Sequence, residues 1–310
     1  MEASITFKSV AKKNKDETLL AELTFGVEKN TRFALVGPNG SGKSTILKLI
    51  CGFIHKDKGS IYIKGFDADI NSNQIKSIIG YMPQKSDFDQ DLNIFENLSI
   101  YGQLYGMSSD DARKRIEYLA HKLNFSNYLK LHSIEIPFGV FKKLLLARAL
   151  LHDPEILILD EPTMGLDPVN RELIWNYLDS IRKDKTIFYS TQNFFEAQEE
   201  SDRIAILYDG TIKFNGTFNY LVKNTFGMTK FTILFADNIP KDIIKKLSVN
   251  PKIIKPVLSE NKLQFYSTEK SIFFQILKEY IIDDIADFDS SKCSLEDIFK
   301  GIQPGEIEWI

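Results

Sequence analysis

The chain has 310 residues, of which 43% are hydrophobic and 26% charged, and this composition is typical of a globular protein with one large or two ordinary domains. The net charge of −3 argues against a protein that binds nucleic acid through a basic surface, so no nucleic-acid partner is expected. No run of 18 apolar residues occurs, so we expect no membrane-spanning helix, and Cys51 and Cys293 lack a metal-binding spacing.

From residue 5 to about residue 220, short apolar runs alternate with helical patterns. The predicted strands are 33–36, 61–63, 78–82, 156–159, 186–190 and 204–207. Several of these runs are bounded by turn residues, as in buried parallel strands, which predicts an α/β fold. Residues 92–151 carry helical patterns without a good strand, which predicts a helical insertion in which Ser109 caps one helix.

The stretch GPNGSGKST at 37–45 follows one predicted strand and precedes the apolar stretch ILKLI. Glycines let backbone N–H groups curl around phosphates, and the start of the helix adds a partial positive charge. In this spacing Lys43 supplies a charge for the outer phosphates and Ser44 a hydroxyl for Mg²⁺. The alternative, a glycine-rich turn with an incidental lysine, is disfavoured by the strand and helix on either side.

A second motif, ILILDEP at 156–162, places two carboxylates at the end of a buried strand. Ligands bind at this edge of parallel sheets. In a phosphoryl-transfer site Asp160 would hold Mg²⁺, while Glu161 would orient or deprotonate the attacking water. Alone, the pair could simply cap the next turn, but together with a phosphate loop it indicates a nucleotide site.

The chain after residue 224 reads as β-α-β-β-α-β followed by a closing helix, which predicts a small ferredoxin-like domain. Ser294 and Asp297 are spaced as a capping box for that last helix. The Phe-rich segment 271–277 is interpreted as core, with a dimer contact or a regulatory role as the alternative. No catalytic group is predicted in this part of the chain.

The order of these motifs resembles the ATP-binding subunits of ABC transporters. It runs through GPNGSGKST, YMPQ with Gln84, LARALLHDPEILILDEPT, GLDP at 165–168 and YSTQN at 189–193. LNIFENL, LYGM and SLEDIF are similar to the drug-exporter subgroup of daunorubicin-resistance ATPases. The resemblance implies a P-loop ABC-type nucleotide-binding domain at 1–225, with its helical part at about 92–151, and an accessory ferredoxin-like α+β domain at 226–310.

The resemblance also implies a role and partners. In this family two ATPase domains meet head to tail, so that each ATP lies between one phosphate loop and the other subunit's signature helix. Closing and reopening of this pair drives a separate membrane permease, which places the subunit on the cytoplasmic face of the membrane. Asp167 would lie in the loop that couples the two sites, and Gln84 would contact Mg²⁺ and sense the permease.

The implied site residues fall into three groups. The residues that would bind ATP are Gly37, Asn39, Gly40, Ser41, Gly42, Lys43, Ser44, Thr45 and Gln84. The Mg²⁺ ligands would be Ser44, Gln84 and Asp160, and the catalytic positions Glu161 and Gln192.

Three departures from the family pattern stand out. The slot of the Leu-Ser-Gly-Gly-Gln signature holds residues 136–140, IPFGV, and we call this segment the signature slot. Pro137 offers neither an N–H nor a hydroxyl to phosphate, although proline suits the first helical turn. Gln192 replaces the switch histidine and cannot carry its charge. Near Asn14 the segment KKNKD lacks the aromatic that stacks on adenine.

The losses affect the γ-phosphate contacts and the adenine platform, whereas the Mg²⁺-triphosphate cradle is intact. We therefore expect an ATP-binding subunit of a transporter, an exporter by its subgroup, that hydrolyses ATP slowly or only beside a more complete partner. A heterodimer is favoured over a homodimer. The alternative is a nucleotide-sensing or regulatory protein that has no transport role.

Overall fold

The structure is a computed structural model that describes residues 3–14, 17–224, 229–236, 243–267, 269–279 and 285–302. The chain divides into two compact units, Met1–Asn215 and Gly216–Ile310. The assignment of 1–225 and 226–310 as separate domains stays a prediction.

The first unit contains a mixed α/β core and a helical region. Its strands are β1 Ala3–Asn14, β2 Glu17–Glu28, β3 Arg32–Val36, β4 Lys58–Ile63, β5 Phe66–Asp67, β6 Ile79–Met82, β7 Ile156–Asp160, β8 Thr186–Thr191, β9 Arg203–Tyr208 and β10 Thr211–Gly216. Its helices are α1 Lys43–Ile50, α2 Ser72–Ile78, α3 Ile94–Leu104, α4 Ser109–Lys122, α5 Phe138–Leu150, α6 Pro168–Ile181 and α7 Phe194–Glu200.

The six-stranded sheet has the order β10-β9-β3-β8-β7-β6, and its neighbouring strands from β9 to β6 are parallel. Strands β3 and β7 are buried along their whole length. Such strands read as continuous apolar runs because both faces of a parallel sheet are covered. The predicted α/β fold is therefore confirmed, and the carboxyl ends of β3, β7 and β8 lie along one edge.

A second, antiparallel sheet has the order β2-β1-β4-β5. The predicted strand 61–63 belongs to this sheet and not to the parallel one, because β4 pairs with β1 in antiparallel register. The two longest strands, β1 and β2, were absent from the predicted set. Both are interrupted by register shifts that break a simple alternation of buried and exposed residues.

The region 92–151 contains helices α3, α4 and α5 and, among its residues, no strand, as predicted. The prediction that Ser109 caps α4 is wrong. Ser108 is the N-cap, with its hydroxyl accepting from the Asp111 N–H at 3.1 Å, and Ser109 is the first helical residue. Either serine fits the N-cap preference, and the extended backbone at Ser108 decides between them.

The second unit contains α8 Phe218–Asn224, β11 Thr229–Phe235, α9 Ile243–Val249, β12 Ile254–Ser259, β13 Lys262–Ser267, α10 Lys270–Glu279, β14 Ile285–Lys292 and α11 Leu295–Ile302. Its antiparallel sheet has the order β12-β13-β11-β14, the predicted split β-α-β plan. Within 271–277, Ile272 and Ile276 are core residues, but Phe274 is 61% exposed, so the core prediction is wrong for that side chain.

Two further predictions can be compared with the structure. Ser294 and Asp297 form the reciprocal bonds of a capping box, since the hydroxyl accepts from the Asp297 N–H at 3.1 Å and the carboxylate accepts from the Ser294 N–H at 3.1 Å. In the described part of the chain, no helix combines the length and apolar character needed to cross a membrane.

Candidate functional site

The phosphate loop connects β3 to α1 and has the backbone that its glycines allow. Gly40 and Gly42 adopt positive φ values of 79° and 103°, which disfavour any other residue. A Cβ on Gly37 would lie 2.2 Å from the carbonyl oxygen of Leu207, so no side chain fits there. Ser41 is buried, and its hydroxyl has no hydrogen-bond partner among the described residues. The loop thus keeps a polar atom available for a ligand.

Lys43 folds back over this loop. Its ammonium donates to the carbonyl oxygens of Gly37 at 2.8 Å and Pro38 at 3.0 Å. Burial lowers the pKa of Lys43, while the carboxylates of Glu161 and Asp160 oppose this shift. The next residues, Ser44 and Thr45, are half-buried in the first turn of α1, and Asn39 is exposed at the loop's tip.

Two carboxylates stand at the end of β7, opposite Ser190 of β8. The hydroxyl of Ser190 donates to Asp160 Oδ1 at 2.6 Å, and both residues are buried. The N–H of Glu161 donates to the Ser190 carbonyl at 3.2 Å. Glu161 has a φ of 51°, a left-handed conformation that is unusual for a residue with a side chain. Such strained residues cluster at functional sites.

The side chain of Glu161 joins the predicted site residues to one another. Its Oε1 lies 3.9 Å from Lys43 Nζ, is buried and accepts no hydrogen bond from the described residues. Its Oε2 accepts from the Gln192 N–H at 3.4 Å. Burial raises the pKa of Glu161, whereas Gln192 and Lys43 act to lower it. The unsatisfied oxygen marks a place for a water molecule or a ligand.

Gln84 lies just beyond β6, and its amide donates to Met164 Sδ at 3.6 Å, next to the loop that follows Glu161. Ser44, Gln84 and Asp160 offer a hydroxyl, an amide and a carboxylate, the oxygen donors that Mg²⁺ prefers. In the described residues no group of three or more His, Cys, Asp or Glu side chains could hold a metal. A site with one protein carboxylate fits an ion bound mostly by water and phosphate.

Sequence reasoning missed two buried groups behind the site. Lys142 in α5 is 1% exposed and donates to the carbonyls of Glu161 and Gln84. Glu196 in α7 accepts hydrogen bonds from Trp175, Thr163 and Thr191. Two adjacent lysines inside a mostly apolar helix were the available signal for the first, whereas Glu196 carried no signal that separates it from surface acids.

The signature slot still begins a helix, α5, but the side chains at the start of that helix differ from the family pattern. Pro137 is the N-cap of α5, one residue earlier than the predicted first-turn position, and provides no side-chain cap. The ring of Phe138 is 53% exposed and leans on Gly165, where an added Cβ would lie 3.0 Å from its Cε1 atom. A bulky ring therefore stands where the family pattern has glycine, next to the GLDP loop.

Beside this slot lies a mostly polar cavity of about 460 Å³, lined in part by Lys143, Asp167 and Asn170. Asp167 caps α6 by accepting from the Asn170 N–H at 3.0 Å, and this bond lowers its pKa. Asn14 is exposed at the end of β1, and the neighbouring Lys15 and Asp16 lie outside the described residues. The predicted absence of an adenine platform there stays a prediction.

Comparisons with known proteins agree with this geometry. A family model described as ABC transporter matches residues 20–164. The Nod factor export ATP-binding protein I of Burkholderia lata is 34% identical over 236 residues, which cover 76% of this chain and 78% of that protein. The probable multidrug ABC transporter ATP-binding protein YbhF of Escherichia coli is 32% identical over 216 residues, 70% of this chain and 37% of that protein.

Solved structures give the same result. An ATP-binding subunit of an ABC transporter matches with a TM-score of 0.66 and 26% identity, over 71% of this chain and 92% of that chain. An ATP-bound bacterial Atm1-family ABC exporter matches with a TM-score of 0.65 and 25% identity, over 72% of this chain and 40% of that chain.

Proposed function

Because this chain belongs to the ABC transporter ATP-binding family, we propose that it is the ATP-binding subunit of an exporter and couples MgATP binding to a separate membrane permease. The name of one relative, the Nod factor export ATP-binding protein I, supports export as the direction of transport, and the multidrug relative supports the transport role. The chain would sit on the cytoplasmic face of the membrane, held there through the permease.

The observation that carries this proposal is that the side chain of Glu161 contacts both Lys43 and Gln192. Lys43 approaches its Oε1 from the phosphate loop at 3.9 Å, and the Gln192 N–H reaches its Oε2 at 3.4 Å. The three positions come from separate stretches of the chain, and all belong to the predicted nucleotide site. In it the loop N–H groups, Lys43 and the Ser41 hydroxyl would hold the phosphates, while Ser44, Gln84 and Asp160 would hold Mg²⁺.

Mg²⁺ would neutralise charge on the outer phosphates. Glu161 would orient the attacking water and accept its proton, since burial raises the pKa of its carboxylate and makes it a stronger base. Gln192 would donate from its side-chain amide towards the γ-phosphate. It carries no positive charge, so stabilisation of the developing negative charge is weaker than with the family's histidine.

Slow or partner-dependent hydrolysis is the second part of the proposal. Helix α5 begins at Phe138 with Pro137 as its N-cap, so this helix start has neither the hydroxyl nor the close backbone approach of a phosphate contact. In a homodimer both ATP sites would face such a helix. A heterodimer with a complete signature on the other chain would give this phosphate loop a better partner, and we favour that assembly.

Residues 83–93, which connect β6 to α3, are called the Gln84 loop. A groove of about 490 Å³ at the end of β6 that leads into this loop is our candidate for the permease contact. Its wall includes Tyr81, three residues before Gln84, together with Phe53 and Leu104, which are 58% and 75% exposed. Exposed apolar side chains of this kind mark interaction surfaces. A permease segment bound in this groove would contact β6 and so could move the loop that carries Gln84.

Native purification tests the transporter assignment. The protein is tagged in its own cell, membranes are solubilised in mild detergent, and stoichiometric partners are identified by mass spectrometry. We expect a multi-span membrane protein together with a second ATPase that carries an intact signature. A protein recovered only from the soluble fraction, without a membrane partner, would overturn the transport role and favour the regulatory alternative.

Turnover of the purified protein tests the second part. We expect MgATP to bind, as measured by calorimetry, with steady-state hydrolysis far below that of a family member with an intact signature and switch histidine assayed in parallel. Equal turnover by the two proteins would contradict the proposal of slow or partner-dependent hydrolysis.

A further inference from the structure

Lys142 is a buried cation that contacts the site from behind. It lies one helical turn after Phe138 in α5 and is 1% exposed. Its ammonium donates to the carbonyl oxygen of Glu161 at 3.0 Å and to that of Gln84 at 3.3 Å. One side chain thus bridges two loops that both belong to the proposed nucleotide site.

The chemistry of this contact sets it apart from ordinary packing. An ammonium loses its hydration when buried, and this cost must be offset by charge or by well-placed acceptors. Within the described residues no carboxylate forms an ion pair with Lys142. The carbonyl dipoles of Glu161 and Gln84 therefore hold the ammonium, with the charges of Asp160 and Glu161 nearby.

The Glu161 backbone is held on both sides of its strained residue. The Glu161 N–H donates to the Ser190 carbonyl at 3.2 Å, and the Glu161 carbonyl accepts from Lys142. Removal of the ammonium would leave the left-handed φ of 51° supported by the β8 contact and by the Met164 N–H, which also donates to the Glu161 carbonyl, at 3.3 Å. The Gln84 loop would lose its tie to the same residue.

The position of Lys142 along α5 links these loops to the signature slot. Residues four apart lie on the same face of a helix, so Phe138 and Lys142 face the same side. Phe138 leans on Gly165, while Lys142 reaches Gln84 and Glu161. A movement of α5 would therefore displace the Phe138 contact with Gly165 and the Lys142 contacts with Gln84 and Glu161 at the same time.

We propose that Lys142 is a positioning residue that holds the Gln84 loop and the Glu161 backbone in register with each other and with α5. Its effect on hydrolysis rests on the proposed function, but its effect on the two loops does not. The lysine is buried behind the two loops and acts through the residues it orients.

The first test is hydrogen exchange on the nucleotide-free protein. Lys142→Met has an apolar side chain of similar length but no hydrogen-bond donor. Because a charged hydrogen bond is lost, amide exchange should become about 10- to 100-fold faster in the segments around Gln84 and Glu161. Lys185→Met is the matched control, because Lys185 is also buried but donates to the Pro154 carbonyl at 2.6 Å. Unchanged exchange in either segment, or equal acceleration in the control, would overturn the proposal.

Single-turnover hydrolysis with excess protein is the second test. We expect Lys142→Met to slow hydrolysis about 10- to 100-fold, as misplaced catalytic groups do, while MgATP affinity changes less than about threefold. Lys142→Arg, which keeps a charged donor, should recover part of the rate. A loss of affinity as large as the loss of rate, or no recovery by arginine, would contradict a positioning role.

The two tests also separate this proposal from the proposed function. A wild-type protein that neither binds nor hydrolyses ATP would refute the transporter ATPase role, while the exchange experiment would still decide the role of Lys142. If Lys142→Met does not fold, Lys142→Gln is measured in the same way. Its shorter, neutral side chain does not reach both carbonyls as the lysine does, so faster exchange is expected in both segments, and unchanged exchange would overturn the proposal.

Discussion

At the residue scale, the site is arranged around polar atoms that the folded chain leaves unsatisfied. Ser41 Oγ and Glu161 Oε1 are buried and have no hydrogen-bond partner in the described part of the protein. Burying such atoms is costly, and proteins retain them where a ligand or water completes the bonding. The two atoms lie in the phosphate loop and beside Lys43, where a nucleotide would supply partners.

Lys43 provides the first prediction. Lys43→Met should weaken MgATP binding at least about tenfold, since it removes a charged donor worth about 1.5–3 kcal/mol. Isothermal titration calorimetry measures this affinity. Lys48→Met is the matched control, because Lys48 is exposed on the same helix and should leave the affinity unchanged. Equal affinities for wild type and Lys43→Met would show that the loop does not bind phosphate.

Gln192 provides the second prediction. Gln192→His should raise single-turnover hydrolysis on the order of 10²-fold, because an imidazole can place a charged donor where negative charge develops. The control is Glu199→His, an exposed position in the following helix. No gain from histidine at residue 192 would mean that this loop does not reach the γ-phosphate.

At the scale of elements, α5 is firmly packed over most of its length, whereas its first residues differ from the family's signature. From Lys142 to Leu150 every residue is buried, so packing on all sides fixes the helix in place. Proline at the N-cap is compatible with this helix because no intrahelical acceptor exists there for the N–H that it lacks, while its carbonyl still accepts from the Phe141 N–H at 3.0 Å. The substitutions in the signature slot therefore change what the helix presents without changing where it lies.

The end of α5 leads to His152, which provides the third prediction. Its Nε2–H donates to the Ile79 carbonyl at 3.1 Å, and its ring stacks on Tyr105 with centroids 3.7 Å apart. Burial lowers the pKa of His152, with Lys185 and Arg115 acting in the same direction, while the hydrogen bond to the Ile79 carbonyl and the charge of Asp153 oppose this shift. A lowered pKa means that the folded state binds the proton less readily than the unfolded state. The contribution of His152 to folding stability is therefore fully present at pH values above the ordinary histidine pKa of about 6.5, and it is lost as the pH falls below that value.

Thermal unfolding at several pH values measures this effect. Between pH 7.5 and 5.5 the wild type should lose stability more steeply than His152→Gln, by at most about 1.4 kcal/mol per pH unit. His121→Gln, an exposed position at the end of α4, should follow the wild-type curve. Parallel curves for wild type and His152→Gln would contradict the assigned burial.

At the scale of the whole molecule, each compact unit has a hydrophobic core of its own. The first is built on the two sheets of Met1–Asn215, and the second on strands β11 and β13 with α9 and α10. Every residue assigned to nucleotide or Mg²⁺ lies in the first unit. The second unit is therefore expected to serve assembly or regulation without taking part in nucleotide chemistry.

Phe265 provides the fourth prediction. It is fully buried in the second core and stacks on Phe231 with ring centroids 5.2 Å apart. Phe265→Ala should lower the free energy of unfolding of this unit by about 3–5 kcal/mol. Hydrogen exchange in β11 and β13 should rise, while calorimetry should give an unchanged MgATP affinity. Val249→Ala, at an 82% exposed position, is the control. Weakened MgATP binding in Phe265→Ala would contradict the separation of roles.

Most elements of the α/β core and the ferredoxin-like unit could be predicted from local patterns. Helices and buried strands have periodic apolar signals that depend on near neighbours in the chain. The predictions are wrong or incomplete where the local sequence pattern allows more than one structure or is interrupted. Ser108 takes the cap that Ser109 could equally have taken, and register shifts hide the alternation in β1 and β2.

The phosphate loop and the Asp160–Glu161 pair are readable before folding, because a contiguous motif carries its own geometry: glycines set the loop backbone and a strand end presents the carboxylates. The identity of the family and the altered signature slot follow from the same local order. The contacts that assemble the site come only from the fold. Lys142 meets a carbonyl 58 residues earlier and another 19 residues later. Such pairs are set by how helices pack on the sheet, and no local pattern encodes that packing.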